Sequence, residues 1–259
     1  MPAEHPIFTV FGPGNNGSSA LFWSIHSDHQ AHPSVSLRAH EEQRFNKFHL
    51  HSFDSLERVL ESFPGRQHRI IYPVRRDVER QVISAFIRYA GKIEKRPHRL
   101  GLPSGRWSDW PASAVVSAFG QFVAREQLPQ LYADFHRQFL ARFGIKPTPL
   151  HTLQVFRGGE ADVLLISSEA VHQSAAPLAE FTAPARFVST AEHRTSNDRA
   201  VLVKLLQPHV RELLKDHLRA LRTEFPAFYG PATPAKGPGF WAQLRSLLQL
   251  HLRHAASAR

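Results

Sequence analysis

The sequence predicts an α/β fold, a mostly parallel sheet flanked by helices on both faces, and three stretches carry that expectation. Residues 6–11 are an apolar run that enters a glycine loop and then the first turns of a helix. Residues 68–74 are a second apolar run, leading through the charged turn Arg75-Arg76-Asp77 into another helix. Residues 162–166 are a third, placed after two helical segments. Strands that alternate with helices are joined by crossovers, and crossovers make neighbouring strands parallel.

In chain order, residues 6–26 read as strand, tight loop and helix. Gly12, Gly14 and Gly17 permit positive φ and close backbone approach, and Ser18 and Ser19 add hydroxyls at the helix entrance. Residues 33–38 alternate as a second strand would, and residues 39–46 are polar. A helix is expected over residues 53–63, with Leu56, Val59 and Leu60 on one face and Pro64-Gly65 as its stop. The next helix spans residues 78–89, and residues 91–111, rich in basic residues, Pro, Gly and Trp, read as a long surface loop. Helices follow over residues 113–126 and 128–143, then a strand at 162–166. A long amphipathic helix over residues 197–221 is expected to be interrupted at Pro208. We divide the chain into one α/β domain, residues 1–230, and a Pro/Gly linker with a basic amphipathic helix, residues 231–259. The helix would dock on its own domain, on a second subunit as a homodimer contact, or on an anionic membrane surface.

Composition narrows the partners. Lys and Arg outnumber Asp and Glu by 32 to 22 in 259 residues, so phosphates, acidic glycans and other anions are favoured. The basic residues are dispersed and no nucleic-acid-binding motif is visible, so nucleic acid is not an expected partner. There is no cysteine, which rules out disulfides and thiolate metal sites. With neither a leader-like start nor a long apolar run, a soluble protein is expected, with cytoplasmic localisation as the default.

The glycine loop admits several readings. As G-x-x-x-x-G-K-[ST] it fails, because Ser18 stands where the lysine belongs, which argues against an ATPase or GTPase. As G-x-G-x-x-G it is complete, and Arg38 can meet a 2′-phosphate, so an NADP-binding oxidoreductase stays open, although no Tyr-x-x-x-Lys pair accompanies it. An ordinary strand-to-helix turn is a further reading. Downstream, Arg76 at a strand end and Ser84 two helical turns later can approach one anion. His49 and His51, two apart in a short strand, share a face, and an imidazole suits proton abstraction near neutral pH. Two partly buried structural histidines, or a metal set completed by Asp54, are the other readings of this pair; no second cluster supports the metal, and none is expected.

Two of these motifs carry a family resemblance. The loop ending Gly17-Ser18-Ser19, and the strand, Arg76-Asp77 and helix with Ile83-Ser84-Ala85-Phe86, resemble the 5′-phosphate loop and 3′-phosphate motif of sulfotransferases. The likeness is greatest to the carbohydrate enzymes and the bacterial capsular-polysaccharide-synthesis type. The resemblance implies a P-loop NTPase-like sheet and transfer of a sulfuryl group from 3′-phosphoadenosine 5′-phosphosulfate to a hydroxyl, with a hydroxyl-bearing, possibly acidic glycan as acceptor. It implies donor contacts from Gly14, Asn15, Asn16, Gly17, Ser18, Ser19, Arg76 and Ser84, and a catalytic base at His49 or His51. A looser likeness adds Asn197 and Arg199 near the 3′-phosphate, where a helix cap at Ser196 or Asn197 is the alternative. Two departures stand out: Val78 replaces the usual proline, and Asn15 replaces the usual loop lysine. Lys47 and Arg44 are the nearest cations in sequence to make good that loss; a non-catalytic sulfotransferase-like binding protein, which Asn15 would allow, is the alternative. Arg99, Arg106, Trp107 and Trp110 are candidate contacts to an acidic sugar.

Overall fold

A computed structural model describes residues 6–26, 47–93, 110–188 and 197–230. The segments expected at 33–46, most of the basic loop and the C-terminal tail lie outside the described residues. The chain runs β1 (Ile7–Phe11), α1 (Ser18–Ser24), β2 (Ile25–His26), β3 (Lys47–Leu50), α2 (Phe53–Ser62) and β4 (His68–Val74). It continues through α3 (Val78–Ile93), α4 (Ala112–Glu126), α5 (Leu128–Arg142), β5 (Leu153–Phe156) and β6 (Ala161–Ser167). Last come α6 (Ala175–Thr182), β7 (Arg186–Phe187), α7 (Asn197–Glu224) and α8 (Pro226–Tyr229).

The fold is α/β around a five-stranded, mostly parallel sheet ordered β3-β1-β4-β6-β5. The pairs β3–β1, β1–β4 and β4–β6 are parallel, and β5 runs antiparallel at the edge. β1 is buried along its whole length between two parallel neighbours, which is why its sequence is a continuous apolar run. β5 was not anticipated: its residues are only half-buried or exposed, so they carry no strong strand pattern. The β2–β7 ribbon and α6 were likewise not anticipated, each being short.

Alternation along the strands sends side chains to two cores. Phe11, Tyr72, Val74 and Leu165 face α3, α4, α5 and α7, whereas Val10, Ile71, Leu164 and Ile166 face α1 and α6. The larger core is strongly aromatic: Tyr72 stacks on Phe139 with ring centroids 3.8 Å apart, and Phe11 meets Phe53 edge-on at 5.0 Å. Such pairs add to the burial energy and hold the sheet against α5. At the carboxyl end of β1 the described chain goes first to one neighbour, β3, and then back to the other, β4. Such a reversal marks the usual ligand position in sheets of this kind.

Three expectations are corrected. α3 runs on to Ile93, past the loop start expected at residue 91, and Trp110 is a core residue only 7% exposed rather than a sugar-facing ring. α7 is continuous through Pro208. Leu202, Leu206, Val210, Leu214 and Leu218 form one buried stripe, and packing of that stripe outweighs the hydrogen bond that the solvent-facing proline removes. Among the described residues no helix is long and apolar enough to cross a membrane.

Pro208→Ala should therefore raise unfolding free energy, by about 1–3 kcal/mol, because the backbone bond is regained at an exposed position. Leu206→Ala, by contrast, should cost about 2–5 kcal/mol. Urea denaturation of both variants checks the pair of signs.

Candidate functional site

The loop after β1 is held in an unusual conformation. Gly14, Asn15 and Gly17 have φ of 85°, 54° and 86°, the left-handed region that glycine enters freely and asparagine tolerates better than most residues. Gly12 is required for a different reason: a Cβ there would lie 2.2 Å from the Asn16 Nδ2. Asn16 turns inward, is 1% exposed and donates to the Pro73 carbonyl at 2.9 Å, pinning the loop to β4.

Three successive carbonyls are then held by side chains from elsewhere in the sheet. Gln81 Nε2 donates to Gly14 O at 3.1 Å, Arg75 Nη1 donates to Asn15 O at 3.0 Å, and the Ser168 hydroxyl donates to Asn16 O. With these oxygens committed, the amides of Gly14, Asn15, Asn16 and Gly17 have no hydrogen-bond partner among the described residues. A cluster of unpaired backbone N–H groups is a concavity suited to an anion. α1 has only seven residues, so its own terminal dipole adds little, and the loop amides carry the argument. Ser18 is buried at the loop exit and Ser19 is exposed beside it.

β3 brings the two histidines to this loop. Val10 of β1 pairs with His49, so the end of β3 lies level with the end of β1. His49 Nε2 shares a 2.9 Å hydrogen bond with Ser18 Oγ, and its ring stacks on Phe22 of α1 at 5.4 Å. Burial, with smaller contributions from His51 and Arg88, pushes the His49 pKa down to about 4, so at neutral pH the ring is uncharged. His51 is exposed, and its Nδ1 lies 2.7 Å from the Gly12 carbonyl. A carbonyl only accepts, so Nδ1 carries the proton and Nε2 of the neutral ring presents a lone pair. The rings are 4.4 Å apart, edge to face. The geometry gives them different work: His49 orients Ser18, and His51 can take a proton.

The turn between β4 and α3 forms the other wall. Asp77 caps α3 by accepting from the Arg80 amide at 2.9 Å, and Glu169 accepts from the amides of Arg76 and Asp77 at 3.3 and 3.2 Å. The Arg76 guanidinium donates to Gly230 O at 2.9 Å, and the Ser84 hydroxyl donates to Arg80 O at 2.7 Å within its own helix. Asn197 and Arg199 stand in the first turn of α7, and their side chains lie outside the described residues.

The structure thus gathers Gly14, Asn15, Asn16, Gly17, Ser18, His49 and His51 at one end of the sheet. Arg76 and Ser84 hold protein carbonyls, and no contact joins either to the loop among the described residues. Lys47 is not at the loop: it is fully buried and donates to Phe22 O at 3.0 Å and Ile25 O at 2.5 Å, at the far end of α1. It starts β3 instead of ending it, two residues too early to reach the cradle. Arg44 lies outside the described residues. Sequence reasoning missed Gln81 and Ser168, whose only signal was position: Gln81 in the first turn of α3, Ser168 directly after β6. Among the described residues no group of three or more His, Cys, Asp and Glu is placed to hold a metal.

The depressed His49 pKa has a consequence for stability. Between about pH 6.5 and pH 4 the unfolded chain binds a proton that the folded chain refuses, so the contribution is full above pH 6.5 and is lost as pH falls toward 4. His49→Gln should remove about 2–3 kcal/mol of the stability lost between pH 7.5 and pH 4.5, measured by urea denaturation at both values. No family model, no curated protein and no solved structure matches this chain.

Proposed function

We propose that the chain is a sulfotransferase of P-loop NTPase-like fold. It takes the sulfuryl group from 3′-phosphoadenosine 5′-phosphosulfate and passes it to a hydroxyl, with a carbohydrate as the acceptor. The observation that carries the reading is the junction of cradle and base: the His51 imidazole is hydrogen-bonded to Gly12, the first residue of the loop whose amides lack partners. A group held by those amides and a proton acceptor are thereby set side by side, which is what a direct in-line transfer to a hydroxyl requires. In this reading the acceptor proton passes to His51 Nε2 as the acceptor oxygen attacks sulfur. The bond from sulfur to the bridging oxygen breaks, and its electron pair stays on the 5′-phosphate. Positioning and charge neutralisation supply most of the rate, as in phosphoryl transfer.

The 3′-phosphate falls to Arg76 and Ser84, whose spacing supports the assignment. Both groups now bond to protein carbonyls, so donor binding would exchange Gly230 O and Arg80 O for phosphate oxygens. A hydrogen bond to a charged acceptor is the stronger one and favours that exchange.

Calorimetric titration with adenosine 3′,5′-bisphosphate and, separately, with NADP⁺ tests the reading. Binding of the bisphosphate alone is expected; binding of NADP⁺ alone would return the loop to the dinucleotide fold. His51→Ala should leave bisphosphate affinity within about twofold while lowering transfer by about 10²–10⁴. Arg76→Ala should weaken bisphosphate binding about ten- to hundredfold, and an unchanged affinity would remove Arg76 from the site.

A further inference from the structure

Among the described residues the loop carries no charge of its own. Its amides are neutral, α1 is short, Asn15 stands where the resembled enzymes place a lysine, and Lys47 is bonded elsewhere. A sulfuryl or phosphoryl group brings negative charge into this place, which neutral amides can hold by hydrogen bonds but do not neutralise. Among the described residues one cation reaches the loop. Arg75 leaves the end of β4 and its Nη1 donates to the carbonyl of Asn15 itself.

We propose that Arg75 is the cation of this loop, delivered from β4 instead of from the loop's own backbone, and that it contacts the donor's 5′-phosphate and bridging oxygen. The inference rests on the sulfotransferase reading above. Three features of the structure support it.

The guanidinium has five N–H groups, and among the described residues only one of its side-chain hydrogen bonds is made, the one to Asn15 O. Its planar fork can keep that carbonyl with one nitrogen and turn the other to an anion. Within its electrostatic reach is Tyr132, a residue 1% exposed whose hydroxyl is buried without a hydrogen-bond partner. A buried hydroxyl with no partner and a guanidinium with unused donors are groups that an incoming oxyanion would satisfy together. The acidic neighbour Glu169 does not fill that role, because its carboxylate already accepts from the Arg76 and Asp77 amides and from the Ser167 hydroxyl at 2.8 Å.

Asn15 fits the same account. At φ 54° asparagine is better suited than a long side chain, and the residue offers its carbonyl as the anchor that aims Arg75. Position 15 and the cation have been separated into two residues that touch. When sulfur leaves, the electron pair remains on the bridging oxygen, and Arg75 offsets the charge appearing there.

The test uses adenosine 3′,5′-bisphosphate as the probe with the full chain. Arg75→Gln keeps a donor for Asn15 O and removes the charge; affinity should fall about ten- to hundredfold. In Asn15→Lys/Arg75→Gln the charge returns from the loop, and affinity should recover to within about fivefold of the parent. A purely structural anchor would not be rescued by a lysine at position 15, so absence of recovery overturns the proposal, as does parental affinity in Arg75→Gln. Because Arg75→Gln can fail to fold, the unmodified protein is also treated with phenylglyoxal and mapped by mass spectrometry. Saturating bisphosphate should protect Arg75, and equal labelling with and without it overturns the proposal. If the unmodified protein binds no bisphosphate at all, the sulfotransferase reading itself falls and takes this inference with it. Parental binding that is indifferent to Arg75 leaves that reading intact and refutes the inference alone.

Discussion

The site depends on the way three consecutive carbonyls of the first loop are held. Gly14, Asn15 and Asn16 each offer an oxygen to a side chain from another part of the sheet: Gln81 on α3, Arg75 at the end of β4, Ser168 just past β6. A loop of small residues with left-handed φ values has little reason to keep one shape by itself, since glycine loses more conformational freedom on ordering than any other residue. Tying its oxygens inward selects one shape and leaves its amides unpaired. The Asn16 side chain completes the arrangement by bonding to Pro73, at the one place where Gly12 leaves room for it.

The sheet order makes those ties possible. β1 lies between β3 and β4, and β6 is next beyond β4, so the loop after β1 meets residues that follow β4 and β6, while β3 ends beside it with two imidazoles. The aromatic core under α5 fixes the height of β1 and β4 relative to the helices, with Phe11 and Tyr72 both packed on Phe139. A buried chain runs from Tyr72 through His136 to Tyr229, and burial pushes the His136 pKa down to about 3, so the ring stays neutral. That chain joins β4, α5 and α8, which places Gly230 where the Arg76 guanidinium can find its carbonyl.

The histidine pair illustrates how one short motif divides its labour. In sequence the two residues are equivalent, both on one face of a short strand. In the fold His49 is still within β3, under α1, where it meets Phe22 and Ser18; His51 is one step past the strand end and emerges at the surface. Burial depth, not residue type, separates the imidazole packed under α1 from the one at the surface.

Much of the framework was legible in the sequence because its signals are local. β1, β4 and β6 are apolar runs of strand length, α2 stops at Pro64-Gly65, and the α4 and α5 helices follow their apolar periodicity. The loop's glycines and the His-x-His pair were also readable, since each follows from composition at a strand terminus. Tertiary structure alone decided the rest. Helix α7 passes through Pro208 because a buried leucine stripe outweighs one lost backbone bond; Trp110 enters the core; and Lys47, the expected cation, is drawn to the carbonyls of Phe22 and Ile25. Which of two adjacent arginines faces the loop was settled in the same way. Arg75 and Arg76 are indistinguishable by charge or by spacing within one residue, and only the twist of the chain leaving β4, with Asn15 on one side and Gly230 on the other, gives them different partners. A sequence states which groups are available at a strand end, whereas the direction in which each points depends on partners 60 and 154 residues away.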